Sequence, residues 1–355
     1  MQVDPARRGD ALDGLTALSH PPRSGLPVAG KGLRPSWERT PGEGPEAEYR
    51  FSPVALCSRL PRSFTNGGRP SVDYQKKFLV KPGAKVRLHR TDPSYAGKPH
   101  LKKAALRETA KQVQRMDRLQ YLLNADGTRS LLVVLQGLDA AGKDGVIRHL
   151  FTGMNPQGTL VHAFKQPSAE ELSHDFLWRA HQRAPARGQI VIFNRSHYED
   201  VLVVRVHKLV EKSVWSKRYD LINGFEKMLS DNGTCILKFY LHISPDEQLA
   251  RFKERLDDPT RCWKISDSDY TERELWPAYT EAYEDALRET STAAAPWYVI
   301  PSNHKWFRNL AISTIIADAI EDMGLGLPAA KVDLAEIRRK YHAAERAAAT
   351  KKTKK

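Results

Sequence analysis

The chain has 355 residues, 41% hydrophobic and 28% charged, and 56 Lys and Arg against 42 Asp and Glu leave a net charge of +14. That length buries a full core as one large domain or two smaller ones, and 22 Gly with 22 Pro are ordinary totals that exclude collagen-like and wholly disordered chains. Three scattered cysteines (Cys57, Cys235, Cys262) exclude a disulfide framework or zinc site, no apolar run approaches the roughly 20 residues of a membrane span, and no export signal opens the chain. The expectation is a soluble, basic, cytoplasmic protein.

Residues 1–70 hold 10 of the 22 Pro and 9 of the 22 Gly without a sustained apolar period. Such a segment does not bury enough surface to offset its ordering entropy, so it reads as a mostly disordered extension. From residue 71 to 330 the pattern alternates. Apolar, β-branched runs fall at LLVVLQ (131–136), TLVHAF (159–164), IVIFN (190–194), CILKFYLHI (235–243) and WYVIP (297–301). Helical periodicity fills the stretches around 144–152, 170–183, 215–230, 245–256, 271–290 and 305–322. Short buried strands alternating with helices predict an α/β fold with a parallel sheet covered on both faces.

The first of these strands runs into Gly137-Leu138-Asp139-Ala140-Ala141-Gly142-Lys143-Asp144-Gly145 and then a helix. Strand, Gly-x4-Gly-Lys and helix is the P-loop arrangement. The glycines let consecutive N–H groups face one centre, the helix N-terminus adds partial positive charge, and Lys143 reaches the outer phosphates. Asp144 stands where a Ser or Thr would hold Mg2+, which makes Asp139, inside the loop, the better metal contact.

A second strand ends in Asn194-Arg195-Ser196-His197-Tyr198-Glu199-Asp200, a modified Walker B with an amide where aspartate is usual. Ligands of such sheets sit at the carboxyl ends of strands, so Arg195 is expected beside the phosphate loop, unless it forms a surface ion pair with Glu199 or Asp200. Those two carboxylates either hold magnesium or begin a solvated helix. Arg205, in the run VLVVRVHKLV, faces either phosphate or solvent.

Ser244-Pro245-Asp246-Glu247 is a capping box with proline at the first helical position. The helix it starts carries Arg251, Lys253 and Arg255, and a break at Asp257-Asp258-Pro259 is followed by Arg261, Trp263 and Lys264. Two helices joined by a basic loop over about 245–290 have the form of a kinase lid, the alternative being a surface helical hairpin. The seven histidines from His149 to His242 show no metal spacing. Residues 331–355 carry nine Lys and Arg against three Asp and Glu, beginning as a helix and ending in KKTKK. So much peripheral charge weakens the case for nucleic acid.

Together GLDAAGKDG, NPQG (155–158), PSAEELSHDFLWR (167–179), FNRSHYEDVLVVRVH (193–207) and PWYVIPSNHKWFRNLA (296–311) resemble the polyphosphate kinase 2 family. The resemblance runs from about Phe78 to Asp322, with KPGAKVRL (81–88) as its short N-terminal extension. It implies a thymidylate-kinase-like P-loop fold with a helical lid, and phosphoryl transfer between inorganic polyphosphate and adenine or guanine nucleotides. It also implies Mg2+, with Mn2+ as a substitute, and a homo-oligomer. By position, Asp139 and Lys143 act in the Walker A loop, with Gly137, Ala141, Gly142, Asp144 and Gly145 around the phosphates. Arg195 acts in the Walker B segment beside Asn194 and Arg205, and Arg255, Arg261 and Lys264 act in the lid. The NRSHYED form resembles the subfamilies that accept nucleoside monophosphates. The competing expectations are an ATP-dependent nucleoside or nucleotide kinase on the same fold, and a non-catalytic polyanion binder.

Overall fold

A computed structural model describes residues 72–97 and 101–353 of the chain. The expected disorder of residues 1–70 falls outside them. The chain divides after Phe51, and every described residue belongs to the second unit, which starts at Ser52.

Six strands make one sheet: β1 (Leu79–Val80), β2 (Ser130–Gln136), β3 (Thr159–Ala163), β4 (Ile190–Asn194), β5 (Thr234–His242) and β6 (Trp297–Pro301). Their order is β1-β6-β5-β2-β4-β3. The five runs expected from sequence pair parallel, as expected, and β1 adds an antiparallel edge beyond β6. All seven residues of β2 are buried. Alternation along the pleat sends Leu131, Val133 and Leu135 into one apolar cluster with Leu237, Phe239 and Ile192, and Leu132 and Val134 into another with Ile236, Val191 and Phe193. A sheet with two dry faces must be covered twice, which is the α/β P-loop architecture.

Eight longer helices accompany the sheet among the described residues, and all but the last cover or connect the strands. They are α1 (Lys102–Asp126), α2 (Lys143–Leu150), α3 (Arg218–Asp231), α4 (Pro245–Asp257), α5 (Asp267–Glu274), α6 (Trp276–Thr290), α7 (Lys305–Glu321) and α8 (Leu334–Thr353). The 25-residue α1 was not among the expected helices, although Met116, Leu119, Gln120 and Leu123 are buried at helical spacing. It ends at Gly127 in the left-handed conformation, φ 64°. Arg115 ties it to α7 through Asp318 at 2.6 Å and Glu321. The stretch expected as one helix at 170–183 is two short ones, Ala169–Ser173 and Trp178–His181, parted at His174 and Asp175. Likewise 271–290 falls into α5 and α6, because Pro277 at the start of α6 cannot continue the preceding turn. The basic C-terminal stretch forms α8, with its side chains exposed as far as residue 349.

Candidate active site

Strands β2 and β4 lie side by side with Leu135 opposite Asn194, so the turns that leave them open onto the same crevice. The turn after β2 depends on unusual backbone angles. Gly137 has φ 152° and Gly142 φ 104°, and Ala140 is left-handed at 61°. At Gly142 a side chain is excluded twice over. The conformation disfavours one, and a Cβ there would meet Arg308 Nη1 at 1.9 Å. α2 then begins at Lys143, so the N-terminus of that helix follows the loop directly.

Two buried arginines, neither expected there from the sequence, hold this loop from behind. Arg251, which the sequence reading placed among the lid charges, donates to the carbonyls of Ala140 (2.7 Å), Ala141 (3.0 Å) and Ser302 (2.5 Å), and through Nε to Glu247 (2.7 Å). Arg308 of α7 donates to Ala141 O at 3.3 Å and to Asn309 Oδ1. Taking up the loop's carbonyls from behind fixes its peptides in place, while the Ala141 N–H is itself spent within the turn on Leu138 O at 3.1 Å. Burial and the neighbouring Arg251 push the Arg308 guanidinium down to about 9. The only sequence signal for Arg308 was its place in the resembling stretch PWYVIPSNHKWFRNLA.

Lys143 is buried, its ammonium donating to Gly137 O (2.7 Å) and Leu138 O (3.2 Å). Burial first, and the nearby Arg195 second, lower it to about 8. Arg195 follows β4 in the left-handed conformation, φ 60°, uncommon for a side chain of this size. Its guanidinium spans Asp139 Oδ1 (2.6 Å) and Glu199 Oε2 (3.3 Å). Burial opposes its charge, yet Glu199 and Asp139 outweigh burial and raise its pKa further. The ion pair with Glu199 therefore exists, but inside the crevice and shared with the phosphate loop. Asn194 donates to Asp144 Oδ1 at 2.9 Å, and Lys264 Nζ stands 3.6 Å from Asp144 Oδ2. Partial burial works against the Asp144 charge, but Asn194 and Lys264 together lower its pKa. Asp139, Lys143, Asp144, Asn194, Arg195, Glu199 and Lys264 thus form one charged assembly.

Four other expected residues lie apart from it. Asp200 accepts from Arg218 at 3.1 Å and faces Arg179 at 3.7 Å, so it is neither solvated nor turned to the loop. Arg205 pairs with Asp285 and Glu281 of α6 at 2.7 Å each and lies over the Trp215 ring, 4.5 Å from its centroid. Its helix shrinks to Val203–Val206. Arg255 reaches Asp269 at 4.0 Å, and Arg261 pairs with Asp258 at 2.9 Å. Of the three basic residues expected in the lid, Lys264 alone touches the phosphate loop here.

Beneath the turn 195–200 lies a buried polar cluster that the sequence did not disclose. Lys238 of β5 donates to Glu226 (2.5 Å), Tyr198 OH (2.8 Å) and Thr290 O (2.7 Å), and Tyr198 in turn donates to Glu226 Oε1 (2.8 Å). Burial disfavours the charge on Lys238 and its pKa falls, whereas Lys238 and His197 overcome burial to lower that of Glu226. Removing one partner of such a pair leaves an uncompensated buried charge, a loss of roughly 3–5 kcal/mol. Lys238→Met should therefore lower the melting temperature by several degrees, and Lys238→Met with Glu226→Gln should recover part of it. Thermal melts of the single and double variants check this.

The sequence model described as Polyphosphate kinase 2 matches residues 100–326. The chain is 51% identical over 257 residues to the AMP/ADP-polyphosphate phosphotransferase of Meiothermus ruber, covering 71% of this chain and 95% of that one. It is 45% identical to the ADP-polyphosphate phosphotransferase of Rhodopseudomonas palustris, covering 71% and 92%. The crystal structure of polyphosphate kinase 2 from Arthrobacter aurescens superposes with a TM-score of 0.72 at 40% identity, covering 74% of this chain and 95% of that one.

Proposed function

Because the chain belongs to the polyphosphate kinase 2 family, we propose that it transfers phosphoryl groups between inorganic polyphosphate and adenine nucleotides, with AMP as an acceptor and ADP used in turn to reach ATP. It is a phosphotransferase, and the readings as an ATP-dependent kinase or a non-catalytic polyanion binder are not favoured. The observation that carries the proposal is the meeting of Lys143, Arg195 and Asp139 at the ends of β2 and β4. Phosphoryl transfer needs positioning and charge neutralisation more than covalent chemistry.

In this reading the N–H groups of the loop and Lys143 grip phosphate oxygens at the reacting end of the polyphosphate. Arg195 exchanges its carboxylate partners for oxygens of the acceptor phosphate and orients it in line. The acceptor oxygen is already ionised at neutral pH, so no side chain has to remove a proton from it. The lid charges then approach the remaining phosphates and exclude water.

Among the described residues no group of three or more His, Cys, Asp and Glu could by itself hold a metal ion. Mg2+ is ordinarily held by one or two carboxylates together with water and substrate phosphates, a donor set that partly exposed Asp139 and neighbouring Asp144 fit. Mg2+, or Mn2+ in its place, would supply charge neutralisation at the phosphate oxygens. No described helix is long and apolar enough to cross a membrane. We place the enzyme in the cytoplasm, extend its acceptors to guanine nucleotides, and assign it a homo-oligomeric state.

A time course with polyphosphate as sole donor and AMP as sole acceptor tests the proposal. ADP should rise first and ATP later. Phosphorylation of ADP alone would remove AMP from the acceptors, and no transfer to either would end the proposal. The same assay reads Asn194→Asp. That change sets a second carboxylate against Asp144, and like charges about 5 Å apart repel by about 3 kcal/mol at an effective dielectric of about 20. The variant should need more Mg2+ and shift its preference from AMP toward ADP by about tenfold after screening.

Neutralising Arg255, Arg261 and Lys264 together should impair polyphosphate use and flatten its salt dependence, because fewer cations then meet the polyanion. Deleting residues 346–355 should change little. Rates measured across a salt series separate the two, and the opposite pattern would move the polyanion site to the tail.

A further inference from the structure

Trp263 lies in the turn Cys262–Lys264 between α4 and α5 and is 74% exposed, more than any other large apolar side chain among the described residues. An indole left in water forgoes a large burial gain, and this one stands beside a cation and the phosphate loop. The turn around it is closed by its own hydrogen bonds. The Asp258 carboxylate accepts from Thr260 N (2.9 Å) and Oγ1 (2.7 Å), and its carbonyl accepts from Arg261 N (2.8 Å) and Cys262 N (3.0 Å). Trp263 Nε1 donates to Thr260 O at 3.0 Å. The ring's one polar atom is thereby satisfied within the turn, and its orientation is held while the ring stays open to solvent.

The indole is also one residue away from the phosphate site. Lys264 Nζ lies 5.1 Å from the Trp263 ring centroid and 3.6 Å from Asp144 at the start of α2. An aromatic surface and a cation are thus presented together at the mouth of the crevice. Polyphosphate displays only anionic oxygens, which the electron-rich face of an indole repels. The substrate that combines a π-face with phosphate is the nucleotide.

We propose that Trp263 is the stacking platform for the nucleobase of the acceptor nucleotide, whose phosphate is the one that Arg195 orients. The proposal rests on the function given above. Stacking is tolerant of base identity, since every base has a π-face. This contact accordingly adds affinity for adenine and guanine nucleotides alike and does not choose between them.

The test removes the ring and the base independently. Initial rates with polyphosphate are compared for AMP and for ribose 5-phosphate, which keeps the sugar and phosphate but lacks the base. Trp263→Ala should raise KM for AMP by roughly 5- to 100-fold, as expected for one lost base–aromatic stack. It should leave KM for polyphosphate and kcat/KM for ribose 5-phosphate unchanged, and Trp263→Phe should restore most of the AMP affinity. In parallel, AMP should quench the wild-type indole fluorescence more than ribose 5-phosphate does, and Trp263→Phe should lose that difference. An unaltered KM for AMP in Trp263→Ala overturns the proposal. So does an equal loss for both acceptors or a raised KM for polyphosphate, either of which would make the residue a packing element of the lid. If wild-type enzyme transfers nothing from polyphosphate to AMP or ADP, the proposed function fails instead, and the fluorescence titration still decides the base contact.

Discussion

Lys143→Ala lowers turnover at saturating substrate and Mg2+ by roughly two or more orders of magnitude, because it removes positive charge aimed at the reacting phosphate, and Asp139→Asn does the same, because it removes the carboxylate that would hold Mg2+ there. Lys143 now spends its hydrogen bonds on the carbonyls of Gly137 and Leu138. Those are weak partners for an ammonium, and phosphate oxygens would draw it away. Its alanine variant should fold and melt no lower than the wild type, since a buried cation near Arg195 is lost with it. Near-wild-type turnover in either variant would refute the roles assigned.

The same lysine predicts a pH dependence with a definite sign. Its pKa is depressed to about 8 by burial and by Arg195, against 10.5 for an ordinary lysine. The free enzyme therefore loses the ammonium as pH rises through about 8, and kcat/KM falls on that limb. Bound phosphates restore the charge, so the limb for kcat lies at higher pH. Between about 8 and 10.5 the unfolded chain holds a proton that the folded chain has released, so this group makes stability rise with pH across that window. Lys143→Ala should abolish that component, as pH-dependent melts would register.

The features carried by local pattern were legible before the structure. Five strands, the phosphate turn and the helix start at Ser244 rest on spacing within a few residues, although the capping box there is only half formed: Ser244 Oγ accepts from Glu247 N, while Ser244 N donates to Asn303 and Glu247 pairs with Arg251. The nearness of Arg195 to the loop follows from its place at the carboxyl end of a parallel strand. What escaped depends on chain segments that meet only after folding. Arg251 looked like a lid charge because its helix is amphipathic and basic, and only the packing of α4 against the loop reveals its carbonyl partners. Arg205 and Asp200 kept open alternatives because their partners, on α6 and at Arg179 and Arg218, are remote in sequence. Lys238 sits in an otherwise apolar strand, where a single charge gives no hint of Glu226. The helix α1 is hidden in the sequence for a different reason, since its buried spacing is diluted by many charged positions on its open face.

Arg195 carries the other large effect. Its left-handed backbone turns the side chain back across the end of β2, while its own N–H still donates to Leu135 O at 3.0 Å. A non-glycine residue in that conformation costs of order 1–3 kcal/mol, which the surroundings must offset. Ser196 Oγ accepts from Tyr198 N (3.2 Å) and Gln136 Nε2 (3.0 Å), and the buried Lys238–Glu226–Tyr198 cluster underlies the turn. Replacing Arg195 by alanine should lower kcat by roughly two to three orders of magnitude through lost charge stabilisation. Lysine should restore little of it, because a point charge on a flexible stem lacks the planar fork that spans two anionic groups. Thermal stability should change little, as alanine keeps the left-handed backbone and only an ion pair at a partly open site is lost. A further readout separates this role from a merely structural one. Arg195 is among the causes that depress Lys143, and Asp139 and Glu199, freed of their arginine, would act to raise it. The residual activity of Arg195→Ala should therefore keep its alkaline limb to higher pH than the wild type. A limb that stays near 8 would mean that burial alone sets the Lys143 ammonium, and that the two cations do not share one phosphate-binding field.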